Sequence, residues 1–509
     1  MKDQEELIEG NEKDEDLIRE SNVKMGRVTD NTLEKIENMK EPEESQTKKI
    51  SSLQTVFSVW NTMIGSSIVS IPYNVYCTGI IPTVFIGLLY GFICYLTCSV
   101  VVRLGGKEED FAVVVYNYFF YGFGPRAAKF GKILQITFNL MINVGATFIY
   151  FLIINQNLYP CICLFLKIFG LDIDGEDITP YFDKFSLFYC ALIVSVIVFP
   201  LTILKEMHIL AKFNSYGIYF VSALLIFVIY TGIRTLATDT FHFEYKENIE
   251  GSKDRNLYLF GTNPGILTGT FSIGMFCHSV ILPLMKNNKK PENNQRDLFL
   301  GYVCVTLTYI IIGIMGYIGF SGSDYSTDFK QNWFRFFKSD NYFILVLRIL
   351  NVVQLTSIFP ILFFVVRKQL FETFFQPEYK TKLPYIIFST SLLCLCIIVL
   401  YICYDILGQL IAYIGAGTAL ILVYTIAPLT NMINYYIRHL PKADILKLKE
   451  AKDENNILIN VDELVPLRPL KAFIFYLCMM LIIVLGIITL LLQIVTVNFF
   501  GITIEENEE

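Results

Sequence analysis

The chain has 509 residues, of which 54% are hydrophobic and 15% aromatic, with a mean hydropathy of +0.50; this excludes an ordinary soluble domain and marks an integral membrane protein. The formal charge of −6 sits wholly in residues 1–50, which hold 15 acidic and 9 basic side chains, so no basic surface remains to argue for nucleic acid. No nucleophile triad, metal cluster or phosphate loop rises above chance, and an enzyme is not expected.

Residues 1–50 contain no Phe, Tyr or Trp and are rich in Glu, Lys, Asp and Asn, so they read as a disordered acidic tail. No apolar core of a signal peptide precedes Ser51. Apolar stretches long enough to cross a bilayer then follow at 54–77, 80–103, 131–159, 185–204, 213–236, 264–285, 298–321, 341–366, 384–404, 408–437 and 472–498, eleven in all. With the tail in the cytosol, the inward connections carry 21 basic residues and the outward ones 8. The positive-inside rule therefore puts the N-terminus in the cytosol and the acidic C-terminus on the lumenal side.

The first span reads WNTMIGSSIVSIPY from Trp60 to Tyr73, with Asn61, Thr62, Gly65, Ser66, Ser67, Ser70 and Pro72 inside an apolar run. A helix interrupted at Gly65-Ser66-Ser67 frees N–H groups on one half and carbonyls on the other, which a membrane tolerates only beside a cavity, protein or ligand. Free N–H groups attract a carboxylate and free carbonyls an ammonium group or a sodium ion; an amino acid carries both charged ends. The plainer reading of such small residues is close helix packing.

Ten of the twelve cysteines fall within apolar spans or at their ends, where cysteine serves as a small hydrophobe, and only Cys161 and Cys163 read as loop-adjacent. No structural disulfide is expected. The sixth span, PGILTGTFSIGMFCHSVILPLM from Pro264 to Met285, is interrupted by Gly265, Gly269, Gly274, His278 and Pro283. Two broken helices five spans apart are what an inverted five-helix repeat produces, with residues 51–237 as one half and 263–438 as the other. Residues 439–470 then form a cytosolic loop and 471–498 an appended eleventh helix. The eighth span carries adjacent hydroxyls at Thr356 and Ser357, and hard cations take oxygen ligands. No span contains Asp or Glu, and Arg348 is the only basic residue well inside one, which disfavours a carboxylate proton relay.

These residues carry a resemblance. WNTMIGSSIVSIPY resembles the first-helix motif of the amino acid/auxin permease superfamily, FCHSVILP resembles its sixth-helix pattern, and Arg348–Pro360 resembles the eighth helix of the sodium-coupled neutral amino acid transporter family. The loop LMKNNKKPENNQRDLF, Leu284 to Phe299, running on into VTLTYIIIG, is similar to the lysosomal, arginine-responsive branch of that family. The resemblance covers roughly residues 51 to 498. It implies an all-α polytopic membrane protein with a LeuT-like inverted 5+5 helix repeat plus an eleventh transmembrane helix. It further implies a secondary active transporter of the lysosomal or vacuolar membrane, moving neutral amino acids with a link to arginine. The alternative is a receptor that binds arginine and signals through its cytosolic face with little flux.

On the same resemblance, the substrate would meet Thr62, Met63, Gly65, Ser66 and Ser67 of the first span and Phe271, Gly274 and His278 of the sixth. A sodium ion, coupling or structural, would lie by Trp60, Asn61 and Met63, facing Thr356 or Ser357. Proton coupling through His278 stays open beside it. The family implies a Rag GTPase/Ragulator-type partner held by aromatic-containing tail segments, and this tail has none. No N-x-S/T sequon occurs anywhere, so N-glycosylation is not expected. An acidic dileucine pattern, DQEELI from Asp3 to Ile8, fits endolysosomal sorting.

Overall fold

Ser51 begins the membrane part with a capping box, its hydroxyl accepting from the Gln54 N–H while Gln54 Oε1 accepts from the Ser51 N–H. The structure is a computed structural model that describes residues 49–106, 108, 110–170, 185–238, 243–245, 257–321, 332–337, 342–375, 381–403, 415–440 and 469–505. The tail through Lys48, with its sorting pattern, and residues 441–468 of the expected loop lie outside the described residues.

Among the described residues, eight helices are long and apolar enough to cross a membrane by themselves. These are α3 (Ile80–Gly105), α5 (Pro125–Ile168), α7 (Met207–Thr238), α10 (Asn294–Phe320), α11 (Tyr342–Phe374), α12 (Leu383–Cys403), α13 (Gly415–Arg438) and α14 (Pro469–Glu505). The first traversal is split into α1 (Ser52–Ile64), a tight 3-10 turn at Gly65–Val69, and α2 (Ile71–Thr78). The sixth is split into α8 (Pro264–Gly274) and α9 (Ile281–Lys286). The fourth is the short α6 (Leu187–Thr202), whose 16 residues rise about 24 Å. The order is that of the expected eleven-span chain.

Two expectations shift. The third span runs well beyond 131–159, because Pro125 starts it behind Gly124 and Pro160 sits inside it without ending it. Cys161 and Cys163 are therefore buried helix residues rather than loop residues. The stretch between the second and third spans holds a further helix, α4 (Phe111–Phe123), capped by Asp110 through the Ala112 N–H at 2.9 Å. Its 13 residues rise about 20 Å, too little to span, and Val114, Val115 and Tyr121 are buried as it packs on α5 and α13.

The two broken traversals are joined to each other at both ends. Where α1 begins, the Ile50 N–H donates to Asn287 O and the Lys289 N–H donates to Ile50 O, each at 2.9 Å. Where α2 ends, the N–H groups of Gly261 and Asn263 donate to Thr78 O and Cys77 O, and Thr78 Oγ1 donates to Asn263 O. The chain thus closes an antiparallel pair whose breaks lie side by side, framed by α5, α7, α10 and α11. Between α5 and α6 on one side and α7 and α8 on the other, the far-face connections include a two-stranded parallel pair, Phe243–Tyr245 with Leu257–Phe260.

The junction at Ile50 rests on a buried polar knot. Asn288 is fully buried; its Nδ2 donates to Asp297 Oδ2 and to Asn294 Oδ1, both at 2.9 Å, while its Oδ1 accepts from the Lys290 N–H. Asp297, also fully buried, takes a second bond from Arg296 at 2.9 Å. The loop that carries the sequence likeness is thus the piece that pins the start of α1. Asn288→Leu removes the amide donor to Asp297 Oδ2, leaving only the Arg296 pairing at Oδ1, and is expected to lower stability by about 1–3 kcal/mol, seen as a reduced thermal midpoint of the purified protein, with Lys289→Gln near neutral.

Candidate functional site

Gly65 ends α1 at φ +41°, a conformation that side chains disfavour, and a Cβ there would run into the Tyr150 hydroxyl of α5. Gly274 ends α8, where a Cβ would press on the Tyr309 hydroxyl at 2.8 Å and on Ser67 Oγ at 3.0 Å. Bare backbone at both breaks is what lets the two half-helices and two tyrosines meet.

Tyr309 of α10 occupies the centre. Its hydroxyl lies 2.7 Å from Met63 O, 2.9 Å from Ile64 O and 3.3 Å from Gly274 O, so one phenol serves the freed carbonyls of both broken helices. One O–H proton cannot satisfy three acceptors at full strength, so these carbonyls keep spare capacity for a cationic or N–H-bearing ligand. The Tyr309 ring stacks on Phe271 at 5.8 Å and 19°.

Beside the breaks lies a cavity of about 60 Å³. Thr62, Met63, Gly65 and Ser67 of the first traversal line it, as do Gly274, Phe276 and Ser279 at the second break. Asn143, Ala146 and Tyr150 of α5 and Ile358 and Leu362 of α11 close the other sides. Ser279 Oγ donates to Asn143 Oδ1 at 3.1 Å, tying the second break to α5. No side chain on this wall is charged.

Behind Thr62 lies a buried amide network. Asn61 Nδ2 faces Asn214 O at 2.9 Å, Asn214 Oδ1 at 2.7 Å and Ser357 Oγ at 2.9 Å. Asn214 Nδ2 in turn reaches Ser58 O, Ser58 Oγ and Thr62 Oγ1, and Gln354 Nε2 donates to Asn61 Oδ1 at 3.1 Å. Gly217 of α7 makes room, since a Cβ there would collide with Asn61 Nδ2 and lie 2.7 Å from Ser357 Oγ.

The structure brings most of the expected residues together and sets others apart. Between the two hydroxyls left open, Ser357 is buried against Asn61, whereas Thr356 is only half-buried and lies outside this network. Trp60 turns outward, its Nε1 donating to Thr308 Oγ1 at 3.1 Å. Phe271 is off the cavity wall and orients Tyr309. His278 also lies off the wall: its Nε2 is 3.0 Å from Thr97 Oγ1 of α3, its ring stacks on Phe276, and its Nδ1 has no partner. The backbone of the non-helical 275–280 segment turns Phe276 and Ser279 to the cavity and His278 away from it. The Ser66 side chain lies outside what the structure describes.

Sequence reasoning missed Tyr309, Tyr150, Asn143, Asn214 and Gln354. The asparagines left a signal as isolated amides within apolar spans; the tyrosines left none, since tyrosine is common throughout these helices. Tyr309→Phe removes a side-chain hydroxyl shared by the two breaks and is expected to lower the thermal midpoint by the equivalent of about 1–3 kcal/mol, with Tyr159→Phe, whose buried phenol bonds Phe185 O away from the breaks, as the comparison.

The model of the family described as transmembrane amino acid transporter protein matches residues 48–459. The neutral amino acid transporter 9 of Danio rerio is 27% identical over 433 residues, 75% of each chain. That of Rattus norvegicus is 26% identical over 437 residues, 76% of this chain and 74% of its own. The sodium-coupled neutral amino acid transporter 9 homolog of Caenorhabditis elegans is 24% identical over 439 residues, 74% of this chain and 67% of its own. Among solved structures, the inward-facing conformation of Mhp1 superposes with a TM-score of 0.53 at 11% identity, covering 90% of this chain and 92% of that one. A closed, bromovinylhydantoin-bound form of Mhp1 gives 0.51 at 12% identity. This likeness carries the LeuT-like architecture alone. With the family model spanning the broken first helix, the amide network and the cavity, the chain belongs to the transmembrane amino acid transporter family.

Proposed function

We propose that the protein moves neutral α-amino acids across an endomembrane by alternating access, with sodium as the coupled ion. The observation that carries this reading is the uncharged cavity set against two helix breaks. A zwitterion has no net charge to be balanced by a wall side chain, and its carboxylate and ammonium ends suit the N–H and carbonyl ends of broken helices. An arginine guanidinium would find no carboxylate on that wall and would have to rest on hydroxyls, carbonyls or the faces of Tyr150 and Phe276. A neutral side chain is the better fit.

The reading of sodium is supported by the crowding at Asn61. Three acceptor oxygens converge on an amide nitrogen that has only two protons. Rotating the carboxamide, with Gln354 turning its unpaired Oε1 to accept from Asn61 Nδ2, would bring Asn61 Oδ1 to Asn214 O, Asn214 Oδ1 and Ser357 Oγ, a set of hard oxygens suited to a cation. The endomembrane location is supported by the Asp3–Ile8 pattern.

Reconstituted protein is expected to show saturable uptake of leucine or glutamine driven by an imposed sodium gradient and little driven by a pH gradient. Gly65→Leu, which fills the break against Tyr150, should abolish that uptake while the protein still purifies as a folded monodisperse species. Ser357→Ala should weaken the sodium dependence by tenfold or more, roughly the loss of one neutral oxygen ligand to a cation, and Thr356→Ala should leave it near normal. Uptake driven by protons alone, and lost in His278→Gln, would reverse the ion assignment. Normal arginine binding without flux in the same vesicles would favour the receptor alternative.

A further inference from the structure

A stripe of buried amides leads away from the cavity. On α5, Gln135, Asn139 and Asn143 recur at four-residue spacing, so they share one helix face, and all three are buried. On α11, the cavity-lining Ile358 and Leu362 share a face with Val365 and Gln369, which are buried as well. The two faces meet where Asn139 Nδ2 donates to Gln369 Oε1 at 2.9 Å. Asn143 and Leu362 line the cavity, whereas Gln135 and Gln369 do not. From Asn143 to Gln135 the helix runs about 12 Å. Lys132 stands just before Gln135, and Lys368, paired with Glu372 at 3.8 Å, adjoins Gln369. The far end of the stripe therefore lies just inside the charged rim of the face where α1 and α5 begin, which the positive-inside count makes cytosolic.

One main-chain atom fixes the direction of these amides. Asn143 Nδ2 donates to Asn139 O at 2.7 Å, and a main-chain carbonyl can only accept, so Asn143 Oδ1 is the atom that accepts from Ser279 Oγ. Asn139 Oδ1 lies 3.2 Å from that same Nδ2, which leaves Asn139 Nδ2 to donate to Gln369. Gln369 Nε2 then ends the series as a donor without a partner, on a residue that is 4% exposed. Gln135, 3% exposed and one turn from Asn139, holds an acceptor without a partner at Oε1. A buried donor and a buried acceptor thus stand at one level, both stripped of water and neither satisfied.

The chemistry of the pair narrows what fits it. A metal cation takes several oxygens, and the side-chain oxygens of Asn143, Asn139 and Gln369 are already accepting bonds. A proton relay needs groups that titrate, and carboxamides do not. An N–H donor beside a carbonyl acceptor suits a ligand with one anionic and one cationic end.

We propose that Gln369 and Gln135 form a transit site for the departing α-amino acid, with Gln369 Nε2 on its carboxylate and Gln135 Oε1 on its ammonium group. The site rests on the transport reading above and adds a second station to it. Val365 lies between Leu362 and Gln369 and keeps the two stations apart in this conformation. When the cavity opens toward the face where α1 begins, the amino acid passes the amide pair before it meets water, so release is divided into two smaller steps.

The test uses full-length protein, purified for equilibrium binding of radiolabelled leucine and glutamine and reconstituted for initial-rate flux under a sodium gradient. Gln369→Glu keeps the shape and the oxygen that accepts from Asn139 but exchanges the free donor for an acceptor. Expected is a fall in maximal flux of about tenfold with equilibrium binding held within about twofold. Gln369→Met removes the donor at similar volume and should lower flux likewise, which keeps the test decisive where the carboxylate variant does not fold. Gln135→Glu, the same change at the acceptor end, should retain at least about half of the flux, and Gln135→Leu should lose most of it. Thr137→Val, on the exposed face of the same helix, should match the wild type. Full flux in both Gln369 variants, the result if water alone sits there, would overturn the transit site and leave the transport reading standing. So would equal loss in the two glutamate variants, or leucine binding lost in step with flux. A wild type with neither binding nor flux would remove the transport reading and the site together.

Discussion

A polypeptide that interrupts a helix inside a membrane exposes main-chain carbonyls and N–H groups to a medium that cannot hydrate them, at several kcal/mol for each group left unmet. Everything around the candidate site answers that constraint. The first traversal does not unravel; it tightens into a 3-10 turn at Gly65–Val69, which keeps most local pairing and frees only the last carbonyls of α1. The second break is looser, six residues from Met275 to Val280. Tyr309 reaches the carbonyls at both, and it can do so because Gly274 has no side chain in its way. A phenol donates one proton, however, so the carbonyls are stabilised without being saturated. That partial satisfaction keeps a folded site available to a ligand.

The antiparallel pair gains its rigidity at its ends rather than at its middle. Ile50 is bound to Asn287 and Lys289 on one face, and Cys77 and Thr78 to Gly261 and Asn263 on the other. An inverted repeat produces this arrangement, because the start of one broken traversal and the finish of the other arrive at the same face. The breaks can then shift against α5 and α11 while the paired ends travel together. Asn143 with Ser279, and Asn61 with Ser357 and Gln354, are side-chain bonds that cross from the pair to those framing helices, and such a shift would have to exchange them.

How much of this was legible in the sequence follows from how each feature is encoded. The breaks at Gly65 and after Gly274 were visible because small polar residues and glycines are conspicuous in apolar runs, and their five-span separation gave the repeat. The choice of Ser357 over Thr356 was not, since adjacent residues differ by about 100° around a helix and only the packing of α11 on α7 and α1 decides which faces inward. Tyr309 was hidden for a different reason: a hydroxyl that matters through main-chain atoms of two distant segments leaves no local pattern. His278 misled in the opposite way. A polar residue in a broken helix suggests the cavity, but irregular backbone aims side chains without helical period, and this one faces Thr97. Helix α4 was missed because 13 strongly apolar residues fit neither a span nor an amphipathic surface helix.

The eleventh helix departs most from its expected role as an appendage. Along α14, Gly486, Thr489 and Gln493 recur at three- and four-residue spacing and so share one face. A Cβ at Gly486 would strike Tyr424 of α13, Thr489 Oγ1 pairs with the Tyr90 hydroxyl of α3, and Gln493 lies against Gly269 of α8. Tyr424 in turn bonds Ser272 of α8 at 3.0 Å, from within a π-helical turn at Leu422–Ile426. The helix therefore bears on one half of one broken traversal, the half that ends at the cavity, and α1 with α2 have no counterpart to it among the contacts of the described residues. Two repeats with the same fold are thus held unequally. Because Gly269 admits Gln493 only for want of a side chain, the position of α8 is set jointly by the repeat and by a helix outside it.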